Sequence, residues 1–149
     1  MMANSIADIS DQLVGIAAAD PQVTKTFESL PSLLQADRAL VRIGKLLNVD
    51  CLLGPTGGPF LVSIRQGLIT EISAASKPMP SWRFSYTASS SAWVEYWRPE
   101  PKPGGHDLLA LTQKGEASLT GDLYPFMTHL QYFKDLLALP RPAISGRSA

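Results

Sequence analysis

Few side chains in this chain can do chemistry near neutral pH. The two histidines are His106 and His129, and imidazole is the side chain that ordinarily gains and loses a proton there. His106 stands in GGHDLL beside Asp107, a setting that starts a helix. His129 lies one helical turn from both Phe126 and Phe133, at the edge of an apolar face, where a ring nitrogen could reach into a pocket. An isomerase or cyclase working with one base would use it. Neither histidine has a carboxylate or thiol partner at a catalytic spacing. The serines at 89–91 lack the G-x-S-x-G frame of a nucleophile elbow. Two distant histidines without H-x-x-x-H or C-x-x-C make no metal signature. Cys51 is the single cysteine, which rules out an intramolecular disulfide and a thiolate cluster. No catalytic residue, metal or cofactor is assigned.

The run TQKGEASLTGD (112–122) has a glycine near each end and precedes an amphipathic stretch, as a phosphate cradle would. A P-loop needs G-x-x-x-x-G-K-[ST]. Here five residues separate Gly115 from Gly121, and Asp122 follows, where a carboxylate would repel phosphate. The residues fit a quieter role. Gly115 ends a helix, 116–120 forms a strand, Gly121 turns the chain, and Asp122 caps the last helix.

What remains is an aromatic and methionine set: Trp82, Phe84, Trp93, Trp97, Phe126, Met127 and Phe133. Such residues fill a core or line an apolar pocket. The elements that must position them follow from periodicity. A helix is expected over 5–19, with Ser5 as its cap and Ile6, Ile9, Leu13 and Ile16 at helical spacing. A weaker one starts at Pro21 and breaks at Pro31. LLQADRALVRIGKLL reads as a third, with Leu33, Leu40, Val41 and Ile43 as apolar positions. NVDCLLGPTGGPFLVSIRQGLITEIS reads as three strands, with Gln66-Gly67 as a tight hairpin connection and Pro59 at a strand start. WRFSYTA alternates as a strand with Trp82, Phe84 and Tyr86 on one face. SSSAWVEYW and HDLLALTQ are short helices. Residues 122–138 form one last helix, with Leu123, Phe126, Met127, Leu130, Phe133 and Leu137 on its apolar face. The tail PRPAISGRSA reads as disordered.

The chain has 149 residues, enough for one domain with its own core. Its 13 basic and 13 acidic residues balance, with no Lys/Arg run, so nucleic acid is not an expected partner. Asp8 and Asp11 stand where a secretory signal would carry positive charge. LVGIAAA is too short to span a bilayer, and the expected location is cytoplasmic.

WRFSYTASSSAWVEYW, followed by LLALTQKGEASLTGD and an amphipathic helix, resembles the sterol carrier protein-2 family of lipid-binding domains. Trp93 matches the family's helix aromatic, Gly115, Gly121 and Asp122 its glycine-framed strand, and FLVSIRQGLI its central hairpin with Gly67 at the turn. The resemblance covers 32–140, leaving 1–31 as an N-terminal helical extension and 141–149 as a tail. The helix over 5–19 and the proline-rich RPEPKPGG connection are additions to the family pattern. The resemblance implies an α+β fold: a five-stranded, largely antiparallel sheet with helices over one face and an apolar cavity between. It implies binding or transfer of a sterol, fatty acyl chain or similar lipid without turnover. The lining expected is Trp82, Phe84, Trp93, Trp97, Leu108, Leu111, Phe126, Met127, Leu130 and Phe133, with the last helix as a movable lid. Transient membrane contact and a homodimer fit the same reading. The rivals are an interaction module with a filled core and the isomerase or cyclase built on His129.

Overall fold

Asp20 caps the first helix of the computed structural model, which describes residues 20–75, 81–100 and 107–141. The expected helix over 5–19, most of the RPEPKPGG connection and the tail beyond Arg141 lie outside the described residues. The Asp20 carboxylate accepts from the Gln22 amide at 2.8 Å, and Pro21 follows at the first turn of α1 (Pro21–Glu28), where a missing amide costs nothing. Val23 and Phe27, one turn apart, are its buried residues.

The helical stretch from Pro21 breaks at Ser29, just ahead of the expected Pro31. Pro31 sits in the first turn of α2 (Leu30–Gln35), the one place a helix accepts proline freely. The single helix expected over 33–47 is also two. Asp37 interrupts it and caps α3 (Arg38–Ile43), accepting from the Leu40 amide at 3.1 Å. The interruption changes the phase. Leu33 and Ile43, expected on the apolar face, are 36% and 53% exposed, whereas Leu30, Leu34, Leu40 and Leu47 are buried.

The strands are β1 (Asn48–Pro55), β2 (Phe60–Arg65), β3 (Leu68–Ala74), β4 (Phe84–Ala88) and β5 (Ala117–Gly121), in the spatial order β3-β2-β1-β4-β5. The sheet is mostly antiparallel, but β4 runs parallel to β1. The other helices are α4 (Ser90–Tyr96), α5 (Leu108–Gln113), α6 (Tyr124–Thr128) and α7 (Leu130–Leu137). Register aligns the inward side chains in rows: Val62, Cys51 and Phe84 form one, and Phe60, Leu53, Tyr86 and Leu119 the next. A bulge after Ser63 sets Ile64 against Ile69 and Val62 against Ile72. Residues three apart otherwise face opposite sides of a strand; the bulge lets Ile69 and Ile72 both pack on the core.

Val23, Phe27 and Leu30 are fully buried in the same core as the strands, so the domain begins before residue 32. The last helix is also two. His129 leaves helical geometry (φ −120°, ψ 35°) between α6 and α7. This re-aims α7, which buries Tyr132, Phe133, Leu136 and Leu137. Leu123 and Met127, expected inside, are 38% and 46% exposed.

The β2–β3 hairpin turns through Gln66 (φ 53°) and Gly67 (φ 82°), the left-handed pair a two-residue connection needs. A Cβ on Gly67 would meet the Val41 carbonyl oxygen at 2.5 Å, and the Gly67 carbonyl accepts from the Tyr132 hydroxyl at 2.7 Å. Gly67→Ala is therefore expected to destabilise the protein by about 2 kcal/mol in urea unfolding, and Tyr132→Phe by about 1 kcal/mol. A neutral Gly67→Ala would contradict the packing of this turn.

Candidate ligand site between the sheet and the helices

Aromatic rings run in an unbroken chain between the sheet and the helices. Phe60 stacks on Phe27 at 5.8 Å, and Phe27 meets Trp93 edge-on at 5.0 Å and Trp97 at 5.6 Å. Trp93 stacks on Trp97 at 5.6 Å and touches Tyr86 and Tyr96 at 5.9 and 6.0 Å. Tyr86 then stacks on Phe126, which packs with Phe84 and Phe133 at 5.4 Å each, and Phe133 meets Tyr132. Offset and edge-on pairs at these separations each add about 1 kcal/mol beyond area burial.

Most of the expected lining comes together here. Phe84, Trp93, Leu108, Leu111, Phe126 and Phe133 are buried, and Trp97 and Leu130 are half-buried against them. Two residues stand apart. Trp82 precedes β4, half-buried, near Gly121, and Met127 is largely exposed. The rings of Phe27, Phe60, Tyr86, Tyr96 and Tyr132 belong to the chain but not to the expected lining. Phe27 was findable from the Val23–Phe27–Leu30 spacing; Tyr132 was not, because it falls off the apolar face of an unbroken last helix.

Each buried ring with a polar tip needs a partner, and the partners are backbone carbonyls. The hydroxyl of Tyr86 donates to Leu108 at 2.7 Å and that of Tyr96 to Lys134 at 3.0 Å; the Trp97 indole donates to Leu137 at 2.8 Å. Burial drives the Tyr96 phenol up to about 12, against the pull of Arg141. Burial likewise raises Tyr86 and Tyr132. All three phenols therefore stay neutral donors. The Cys51 thiol, also raised by burial, has no reactive thiolate to offer.

One donor is left over. Trp93 is fully buried, and its indole Nε1–H has no hydrogen-bond partner among the described residues. Ionic groups lie at the margin: Lys134 pairs with Asp107 at 2.9 Å, each about one third exposed, and Arg141 donates to the Tyr96 carbonyl at 2.6 Å. His129 is half-buried, with its Nδ1 at 3.2 Å from the Thr128 hydroxyl. Among the described residues, no group of three or more His, Cys, Asp or Glu could hold a metal.

The glycine-framed strand closes one edge of this layer. Gly121 (φ 98°) lies so close to β4 that a Cβ would meet the Arg83 carbonyl oxygen at 2.6 Å. Asp122 accepts from Arg83 Nη2 at 2.6 Å and from the Tyr124 amide at 3.1 Å. It thus ties β4 to the start of α6.

No family model matches the chain, and no curated protein does. Solved structures do. The crystal structure of sterol carrier protein 2 superposes with a TM-score of 0.62 at 14% identity, over 80% of this chain and 96% of that one. The chain has a sterol carrier protein 2-like fold. A second neighbour with that fold is UbiJ-SCP2, a ubiquinone synthesis protein, with a TM-score of 0.53 at 20% identity over 83% and 94% of the two chains. A third is a conserved hypothetical protein from Thermus thermophilus, with a TM-score of 0.54 at 14% identity over 82% and 91%. Among the described residues, no helix of this sterol carrier protein 2-like fold is long and apolar enough to cross a membrane.

Hydrogen bonds from Arg83 and then from the Tyr124 amide hold the Asp122 carboxyl below its ordinary value of 3.8. A depressed carboxyl contributes stability above its unfolded pKa and loses it as pH falls through the folded one. Asp122→Asn should therefore unfold at lower urea than the parent at pH 7, with the difference vanishing in acid. A difference that persists at pH 2 would contradict an ionic role for Asp122.

Proposed function

We propose that this chain binds a lipid or other hydrophobic small molecule between its sheet and its helices and carries it without chemical turnover. The observation that carries the reading is the unpartnered Trp93 donor inside an aromatic wall. A buried unsatisfied donor costs about 1–3 kcal/mol, a debt that a ligand oxygen would relieve. A sterol, the cargo in the first neighbour's name, is mostly hydrocarbon with one hydroxyl oxygen, the composition this wall would suit. Each methylene brought from water into such a wall gains about 0.8 kcal/mol, so no charged anchor is needed.

The expected lining of Phe84, Trp93, Trp97, Leu108, Leu111, Phe126, Leu130 and Phe133 is kept, with Phe27 and Tyr86 added. Trp82 and Met127 belong at its edges. In this reading α6 is the movable lid: among its residues only Phe126 is buried. A cytoplasmic location is part of the same proposal. The unbroken ring contacts favour one rival, the module with a filled core. The isomerase reading gains nothing from His129, whose ring partner is a hydroxyl.

Titration with a fatty acid methyl ester and with an alkane of matched length tests the reading, followed by tryptophan emission. The protein should prefer the ester, and Trp93→Phe should lose that preference by about fivefold, the value of about 1 kcal/mol for one hydrogen bond. An unchanged preference in the variant would remove Trp93 as the donor. An emission unchanged by either ligand would favour the filled core.

A further inference from the structure

One edge of the sheet is left open. β5 is the outermost strand on its side, paired with β4 through Ser118 opposite Thr87 and Thr120 opposite Ser85. The Asp122 amide donates to the Arg83 carbonyl at 2.7 Å, and the Ser89 amide to the Glu116 carbonyl at 3.2 Å. Backbone groups alternate in direction along an antiparallel strand. Those of the even-numbered residues therefore face β4, and those of Ala117 and Leu119 face away from it. Among the described residues no strand lies on that side. Sheets ordinarily blunt such an edge with charge, proline or a bulge. The opposite edge follows the rule: β3 carries Glu71 in mid-strand and a bulged register with β2. β5 reads ASLTG, without charge or proline, and its register is unbroken. Exposed apolar side chains continue from its end, Leu123 and, one helical turn on, Met127.

We propose that this edge pairs antiparallel with the β5 edge of a second copy of the chain, about a twofold axis at Ser118, joining the two sheets into one. Ala117 of each copy then exchanges both backbone hydrogen bonds with Leu119 of the other. Charge selects the register. With Ser118 on the axis, Glu116 faces the neutral Thr120, and Lys114 comes level with Asp122 of the other copy. An axis at Leu119 would set Glu116 against Asp122, and like charges opposed across strands are destabilising. Lys114 is exposed and takes part in none of the ion pairs of the described residues. The same symmetry brings the start of α6 in one copy to the end of α5 in the other, because α5 ends at Gln113 and α6 begins at Tyr124. Leu123 gains cover there. Any extended peptide could satisfy the open backbone groups, but a second copy also matches Lys114 with Asp122 at both ends of the contact. The proposal needs no cargo, so its outcome is separate from that of the ligand reading.

Sedimentation equilibrium of the full chain over a range of concentrations tests it, and a dimer that dissociates on dilution is expected. Ser118→Lys would oppose two like charges across the axis and should raise the dimer dissociation constant about fivefold. Circular dichroism should not change, because Ser118 is exposed. An equimolar mixture of Ser118→Lys with Ser118→Asp should associate more tightly than either variant alone, since in this register Ser118 meets itself. A parent that stays monomeric at every concentration, as an edge reserved for another protein's extended segment would give, overturns the proposal. So does a dimer that Ser118→Lys leaves unchanged, or a mixture no tighter than its components.

Discussion

Three aromatic side chains reach from the middle of the fold to the backbone of a helix, and a fourth reaches from a helix to a turn. Tyr86 bonds the start of α5, Tyr96 and Trp97 bond the end of α7, and Tyr132 bonds the β2–β3 hairpin. The constraint is that a polar tip taken into an apolar interior must find a partner or cost free energy. The last carbonyls of a helix lack partners within it, and the end of α7 supplies two of the acceptors. These bonds tie α4, α5 and α7 to the sheet and to one another at fixed points. The ring contacts between them then have little freedom to slide. Trp93 lies in the middle of this arrangement as a buried donor without a hydrogen-bond partner among the described residues.

Much of the architecture was legible in the sequence because it depends on local signals. Strict alternation marked Phe84 and Tyr86, the Gln66-Gly67 pair marked a hairpin, and TQKGEASLTGD marked a helix end, a strand and a turn. The helix over 108–113 ends as expected, with the Glu116 amide returning to the Leu111 carbonyl across Gly115. Misreadings came where tertiary packing overrode periodicity. Asp37 and His129 each interrupt a stretch whose apolar spacing suits one helix, and each interruption rotates the buried face. Leu33, Ile43, Leu123 and Met127 were misplaced for that reason, and Tyr132 was missed for the same one.

The site was legible in composition rather than in geometry. An aromatic set spread over a strand and three helices can be named from the sequence, but which rings touch depends on β4 running parallel to β1. That pairing brings Tyr86 beside Leu53 and under Trp93, and no residue pattern announces it. The orphaned indole is less legible still, since it follows from what does not reach Trp93. An apolar wall with one donor discriminates ligands by length and shape more than by headgroup. In the proposed reading, selectivity rests with the rings from Phe27 to Phe133, while charges stay at the rim.

The central claim is that the space between sheet and helices takes a hydrophobic ligand. Native mass spectrometry of the purified full chain tests it most directly, because subunit number and bound mass are read together. Species heavier than the chain by the mass of a lipid are expected, with the increment lost under denaturing conditions and recovered in an organic extract. A spectrum of the bare chain alone, unchanged after incubation with sterols and fatty acyl esters, would contradict it.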